Sequence, residues 1–391
     1  MQNFTFRNPV RIHFGSGMIA RLADEIPADA TVLLVYGGGS IRRNGVYDQI
    51  VAALGPLQCV DFAGIEPNPH YTTCLRAIDE SRVHKVTHVV AAGGGSVIDA
   101  AKFIAAGACL TPGEDPWDFV NGRPVARALP LGAIVTLAAS GSEYNCTSVI
   151  THDILKEKRV FFAPAVFPAF SILDPDTTAS LPLRQRINGI VDPWMHVIEQ
   201  YLTFPADAAV QDRISEALLL TLLHEGPRSL RDPSDAAARA NLMWAASLAL
   251  NGLAGAGVPQ DWSTHLIGHE LTMLHGLDHA QSLAVVHPAL LAWSGGRKRQ
   301  KLLQFGERVF GIGPTTGTED ERAAATIAAE RDFFESLGAP TRLSTYGVRE
   351  EHIPAITASL ARVISAMGLK GLGEHQDIGP GEAAAILRQA L

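Results

Sequence analysis

Charge is scarce in this chain. Asp, Glu, Lys and Arg make up only 18% of its 391 residues, and they balance to −8. No broad basic face can be assembled from that balance, which excludes nucleic acid as the main partner. Cysteine is scarcer still. Cys59, Cys74, Cys109 and Cys146 form no CxxC pair and stand apart from any histidine run. That spacing excludes a zinc ribbon and a disulfide framework, and it predicts reduced thiols in a cytoplasmic protein. No apolar run approaches the roughly 20 residues that span a bilayer, so no membrane partner is expected. The opening MQNFTFRNPV lacks the basic-then-apolar pattern of a secretory leader. The dinucleotide signature GxGxxG and the phosphate loop GxxxxGK[ST] are both missing.

Apolar residues account for 47% of the chain, and the length suits two domains. Up to about residue 183, short apolar runs alternate with helical stretches. TVLLVYGGGS (31–40), LQCVDFAG (57–64), THVVAAGGGS (87–96) and LPLGAIVTL (129–137) read as strands. GVYDQIVAALG (45–55), YTTCLRAIDESRVHK (71–85) and VIDAAKFIAAGACL (97–110) read as the helices between them. Continuous apolar strands alternating with helices predict a parallel sheet covered on both faces. Beyond Leu183 the periodicity is helical throughout. The expected architecture is an α/β domain over 1–183, with a parallel Rossmann-like sheet, and an all-α domain over 184–391.

Ligands on such sheets bind beyond the carboxyl ends of the strands, where both GGGS segments lie. Gly94, Gly95 and Ser96 open a helix whose free N–H groups and positive dipole end suit a pyrophosphate. A tight turn accounts for one such segment equally well. The other, YGGGSIRRNG, sharpens the reading, because no carboxylate occurs between Val32 and Tyr47. NAD sites often place an acidic side chain on the ribose hydroxyls here. Gly37, Gly38, Gly39 and Ser40 leave room instead, and Arg42 and Arg43 follow. Donors and guanidinium groups favour a 2′-phosphate, hence NADP(H). Aspartate in place of Gly39 is expected to weaken NADPH relative to NADH. Thr136, Ser140 and Ser142 form a third small, polar turn, after the 129–137 strand.

DWSTHLIGHELTMLHGLDHAQ carries His265, His269, His275 and His279 within fifteen positions. His265 and His269 are four apart, as are Asp192 and His196 in INGIVDPWMHVIEQYL. Side chains at i and i+4 share one helix face, so two such pairs facing each other can grip one ion. Carboxylate and imidazole without thiolate suit Fe²⁺ or Zn²⁺, and an open position would allow catalysis. Spacing alone does not select among the histidines. Pro193 costs a backbone bond to Gly189, and a kinked but continuous helix is expected there. Trp117, Phe119, Trp262 and Leu253 suit either a substrate pocket or ordinary packing.

Together NPVRIHFGSG, YGGGSIRRNGVYD, GIEPNPHYTT, AAGGGSVIDAAK, TLAASGSEYN, FSILDP, NGIVDPWMHVIEQYLT and PQDWSTHLIGHELTMLHGLDHAQ resemble the iron-containing (group III) alcohol dehydrogenases over nearly the whole chain. The resemblance is narrower to their branch of NADPH-dependent butanol dehydrogenases and broad-range aldehyde reductases. It implies the dehydroquinate synthase-like fold of that family and a homodimer. It implies Asp192, His196, His265 and His279 as metal ligands, with His269 unliganded beside them. Gly38, Gly39 and Ser40 take the place of an aspartate found in NAD-preferring relatives. Gly94, Gly95 and Ser96 match the pyrophosphate turn, and Thr136, Ser142 and Lys158 match positions near the diphosphate, ribose and nicotinamide. Asp99 is counted with the cofactor-binding residues.

The expected reaction is reversible hydride transfer between NADPH and a small aldehyde, with His269 relaying the proton. The alternatives are a glycerol or lactaldehyde dehydrogenase or a lyase of the same fold. A metal-dependent hydrolase would leave both GGGS turns unexplained.

Overall fold

The computed structural model describes Met1–Leu391 in full and separates the chain into two compact units. One comprises Arg7–Pro182 and Pro233–Asn251. The other comprises Met1–Phe6, Leu183–Asp232 and Gly252–Leu391. The chain is therefore not divided by a single cut near residue 183. Helix Ala236–Ala249 belongs with the first unit, where Trp244 packs edge-on against Phe14 and stacks on Tyr144. The Ser247 hydroxyl there reaches the buried Glu143 carboxylate, with burial pushing that carboxyl upward.

The first unit holds all eight strands: β1 (Arg11–Phe14), β2 (Thr31–Tyr36), β3 (Gln58–Phe62), β4 (His88–Gly93), β5 (Leu131–Val135), β6 (Thr147–His152), β7 (Glu157–Phe162) and β8 (Phe170–Leu173). Six of them form one wholly parallel sheet in the order β1-β8-β5-β4-β2-β3. The interior of β2 and the whole of β5 are buried without alternation, as strands covered on both faces require. Gly132 is forced by packing, because a Cβ there would collide with the Phe170 ring. The turns after β2, β4 and β5 follow three adjacent strands, so one end of the sheet carries all three. Strands β6 and β7 form a separate antiparallel hairpin that the apolar periodicity did not foretell. Trp117 and Phe119 are buried in the core beside Tyr71 and Phe103.

The second unit is helical. Helix Leu183–Tyr201 continues unbroken past Pro193. Gly189, four residues earlier, offers no side chain to the proline ring. Trp194, next in sequence, is fully buried among Phe305, Phe310, Phe333 and Phe334. Its indole N–H donates to Glu330 Oε1 at 2.9 Å, and the other Glu330 oxygen meets His287 Nδ1 at 2.8 Å. Glu330 thus ties helix Leu183–Tyr201 to helix His279–Ser294. No helix is long and apolar enough to cross a membrane.

Candidate active site

In the helical unit, Asp192, His265 and His279 place ligand atoms within 4.8 Å of one another. Three helices supply them: Leu183–Tyr201, Ser263–His275 and the first residue of His279–Ser294. His196 lies one turn beyond Asp192, with Nε2 at 3.5 Å from Asp192 Oδ1 and its ring stacked on His265 at 5.0 Å. His279 Nε2 is 3.7 Å from the same oxygen. Two donors about 2.1 Å from one tetrahedral ion stand roughly 3.4 Å apart, which these separations approach.

Asp192 Oδ1 and His196 Nδ1 are buried without a hydrogen bond. A buried carboxylate oxygen in that state is costly unless a cation meets it. Burial also pushes His196 down to about 4, so its imidazole is neutral at neutral pH, the form that ligates. The donor set therefore fits a divalent ion. His269 is half-buried, its ring 5.2 Å from that of His279 and 6.4 Å from that of His265. It stays outside the three-ligand group. His275 lies apart, with its ring against His352.

One residue here escaped the sequence reading. Glu199, three positions after His196, is buried and bonds both the backbone and the imidazole at the start of the helix that carries His265. Its carboxylate meets His265 Nδ1 and accepts from the Thr264 N–H at 2.7 Å. A carboxylate on the far nitrogen of a histidine fixes ring orientation and aims Nε2. Burial, together with the neighbouring Asp261 charge, pushes Glu199 up to about 8. A DxxxHxxE spacing was the available signal.

The sheet unit assembles the glycine turns. Gly38 has open space around it and an ordinary φ, whereas Gly39 is left-handed at φ 84° and precedes the short helix Ser40–Arg43. Arg42 is already engaged. It pairs with Asp61, donates to the Tyr36 hydroxyl, and lies over the Tyr47 ring at 3.8 Å. Arg43 is exposed on the same turn. The carboxylate missing from 33–46 in sequence thus arrives from β3, but it comes neutralised by Arg42.

At the second turn, a Cβ on Gly94 would stand 3.0 Å from Leu137, and one on Gly95 would strike the Ser140 hydroxyl. Bare backbone is required there, at the head of helix Gly95–Gly107. Ser96 Oγ accepts from the Asn68 N–H at 3.2 Å, and Lys158 Nζ donates to Asn68 Oδ1 at 3.0 Å. Asn68, left-handed at φ 57°, links two residues that sequence placed separately.

Thr136 is buried, its N–H donating to Gly93 O at 2.9 Å. Ser142 and Asp99 meet in a network centred on the buried Lys102. Ser142 Oγ donates to Asp99 Oδ1 at 2.5 Å, and Lys102 Nζ reaches Ser142 Oγ at 2.8 Å and Asn145 Oδ1 at 3.0 Å. Lys102 also donates to the Ser142 and Thr147 carbonyls, each at 2.7 Å. Burial pushes Lys102 down to about 8 and Asp99 up.

Residues 9–175 match the family model for iron-containing alcohol dehydrogenase, and 186–369 match that for the C-terminal region of the Fe-containing alcohol dehydrogenase family. The chain is 50% identical over 380 residues to the NADPH-dependent aldehyde reductase YqhD of Escherichia coli, with 97% of each covered. A crystal structure of YqhD superposes with a TM-score of 0.96 at 48% identity, over 100% of this chain and 99% of that one. An NADH-dependent butanol dehydrogenase A from Thermotoga maritima superposes at 0.94 with 34% identity, again over 100% and 99%.

Proposed function

We propose that this chain, which belongs to the iron-containing alcohol dehydrogenase family, reduces short- to medium-chain aldehydes to alcohols with NADPH and one divalent ion, Fe²⁺ or Zn²⁺. The observation that carries the reading is the convergence of Asp192, His265 and His279, with His196 stacked beside them. When bound, the ion supplies Lewis acidity and the reduced nicotinamide supplies hydride.

The chain's own residues do the rest. Asp192, His196, His265 and His279 hold the ion, and Glu199 keeps His265 aimed at it. His269 stands close enough to relay a proton through water to the alkoxide oxygen. Gly94, Gly95 and Ser96 present bare N–H groups to the pyrophosphate. Gly37, Gly38, Gly39, Ser40 and Arg43 accommodate the 2′-phosphate, with Arg42 held back by Asp61. Lys158 lies toward the ribose, joined to Ser96 through Asn68. Thr136, Asp99 and Ser142 shape the third turn, with Lys102 behind them. A cofactor role for the first part of the chain, to about 183, and a metal role for the remainder belong to the same reading. So do a homodimer and a cytoplasmic location, the latter supported by four free cysteines.

Incubation with butanal and either NADPH or NADH tests the function by loss of coenzyme absorbance, with elemental analysis of the same sample. Faster oxidation of NADPH and about one bound ion per chain are expected. An inert NADPH sample with a full complement of metal would overturn the reading.

A further inference from the structure

Trp262 holds a conformation that its side chain disfavours. Its φ is 60° and ψ 6°, in the left-handed region. The other non-glycine residues at positive φ are Asn, Asp, Gln and Lys. A bulky aromatic is strained there and persists only where its surroundings impose it.

The surroundings do impose it. On one side, the Asp261 N–H donates to Glu199 O at 2.9 Å. The Asp261 carboxylate accepts from the Ser263 N–H at 2.8 Å and from the Ser263 hydroxyl, and it pairs with buried Lys298. Lys298 in turn donates to Leu202 O at 2.7 Å and Glu374 Oε2 at 3.1 Å. On the other side, the Thr264 N–H is held by Glu199 Oε1. Asp261, Ser263, Thr264 and Lys298 are all buried, so the backbone is anchored on both sides of residue 262.

That clamp directs the indole at the ligand cluster. Its ring centroid lies 5.3 Å from His265 and 6.4 Å from His196. The indole N–H donates to Gln260 Oε1 at 2.8 Å, which pins the ring's rotation. Trp194 shows what a packing tryptophan looks like in the same unit: fully buried, ringed by phenylalanines, its N–H on a buried carboxylate. Trp262 is half-buried, and its aromatic neighbours are imidazoles alone.

We propose that Trp262 is a specificity-determining residue, a flat wall beside the ligand imidazoles that admits aldehydes unbranched at the carbon next to the carbonyl and excludes branched ones. The inference rests on the function proposed above. An aldehyde whose oxygen lies at the Asp192–His265–His279 cluster brings its second carbon within van der Waals reach of a wall so placed. Extra methyl groups on that carbon meet the indole face.

Glycine takes the left-handed conformation without strain, so Trp262→Gly removes the wall while easing the backbone. Trp262→Phe keeps a smaller ring. The two variants and the wild type are compared by metal content, and by kcat/KM for butanal and for 2,2-dimethylpropanal with NADPH. We expect Trp262→Gly to raise the ratio of the branched to the linear substrate at least about tenfold, with Trp262→Phe between it and the wild type. Metal content should match the wild type in both. An unchanged ratio in metal-replete Trp262→Gly, or loss of metal from both variants, would overturn the inference alone. Failure of the wild type to reduce butanal would overturn the functional reading as well.

Discussion

The two units build their sites by opposite means. In the sheet unit the glycine turns work by omission: bare backbone at Gly94 and Gly95, open space at Gly38, no free carboxylate beside it. In the helical unit the site is built from buried ionisable groups: Asp192, Glu199 and Asp261, with Lys298 and Glu374 behind. Omission costs little stability and leaves room for a large, charged coenzyme. Buried charge is expensive and rigid, which suits an ion that needs its ligands placed within a few tenths of an ångström. The two sites should therefore fail differently when mutated.

The sharpest break comes from the ligands. His265→Ala or Asp192→Ala should remove most of the metal and lower turnover by about a thousandfold. NADPH binding, followed by fluorescence, should stay near the wild-type value, because the glycine turns take no part in holding the ion. Joint loss of both affinities would erase the contrast drawn between the units. A smaller effect is expected one step back. Glu199→Gln keeps a hydrogen-bonding group of the same shape but replaces the carboxyl group that meets His265 Nδ1. Metal affinity, measured by competition with a chelator, should fall by about 10- to 100-fold. Unaltered affinity would make Glu199 a packing residue.

On the coenzyme side the test is substitution into open space. Gly39 is left-handed, so an aspartate there mixes backbone strain with charge. Gly38 has an ordinary φ and nothing within 4 Å of a Cβ. Gly38→Asp therefore isolates the charge. The NADPH-to-NADH ratio of kcat/KM should drop by about tenfold or more, the scale of a charge-assisted hydrogen bond lost to phosphate. An unmoved ratio would place the 2′-phosphate elsewhere.

What the sequence disclosed follows the same divide. Parallel strands ending in glycine, and Asp192 and His196 four apart on one helix, are local patterns, and both are readable because the period of the element is written in neighbouring residues. The continuous passage of helix Leu183–Tyr201 through Pro193 was legible for the same reason, with Gly189 four positions back. Glu199, Asp261, Lys298 and Glu374 were not, because only the folded chain brings positions 199, 261, 298 and 374 together. Asp61 was hidden likewise: a one-dimensional scan of 33–46 finds no acid, while the β2–β3 register delivers one from the next strand. Trp117, Phe119 and Trp262 looked alike in sequence. Burial separated them, sending the first two into the core and leaving the third against the histidines.

Lys102 crosses the divide, being a buried charge in the unit that otherwise works by omission, and it yields the smallest expected effect. Burial pushes it down to about 8 from an ordinary value of 10.5. Below that pH the amine is protonated in folded and unfolded chains alike, and its contribution to stability does not vary. Between about 8 and 10.5 the folded chain has released a proton that the unfolded chain still binds. Stability from this group must then rise with pH, by at most about 1.4 kcal/mol per unit. Other groups titrate in the same window, so the difference between proteins carries the information. Urea unfolding of wild type and Lys102→Met across that range should show a stability gap that changes in slope near pH 8. The variant is less stable throughout, having left the Ser142 and Thr147 carbonyls without their donor. A gap independent of pH would mean that the four oxygens around Lys102 hold it charged, and that this unit tolerates a buried cation as readily as the helical one.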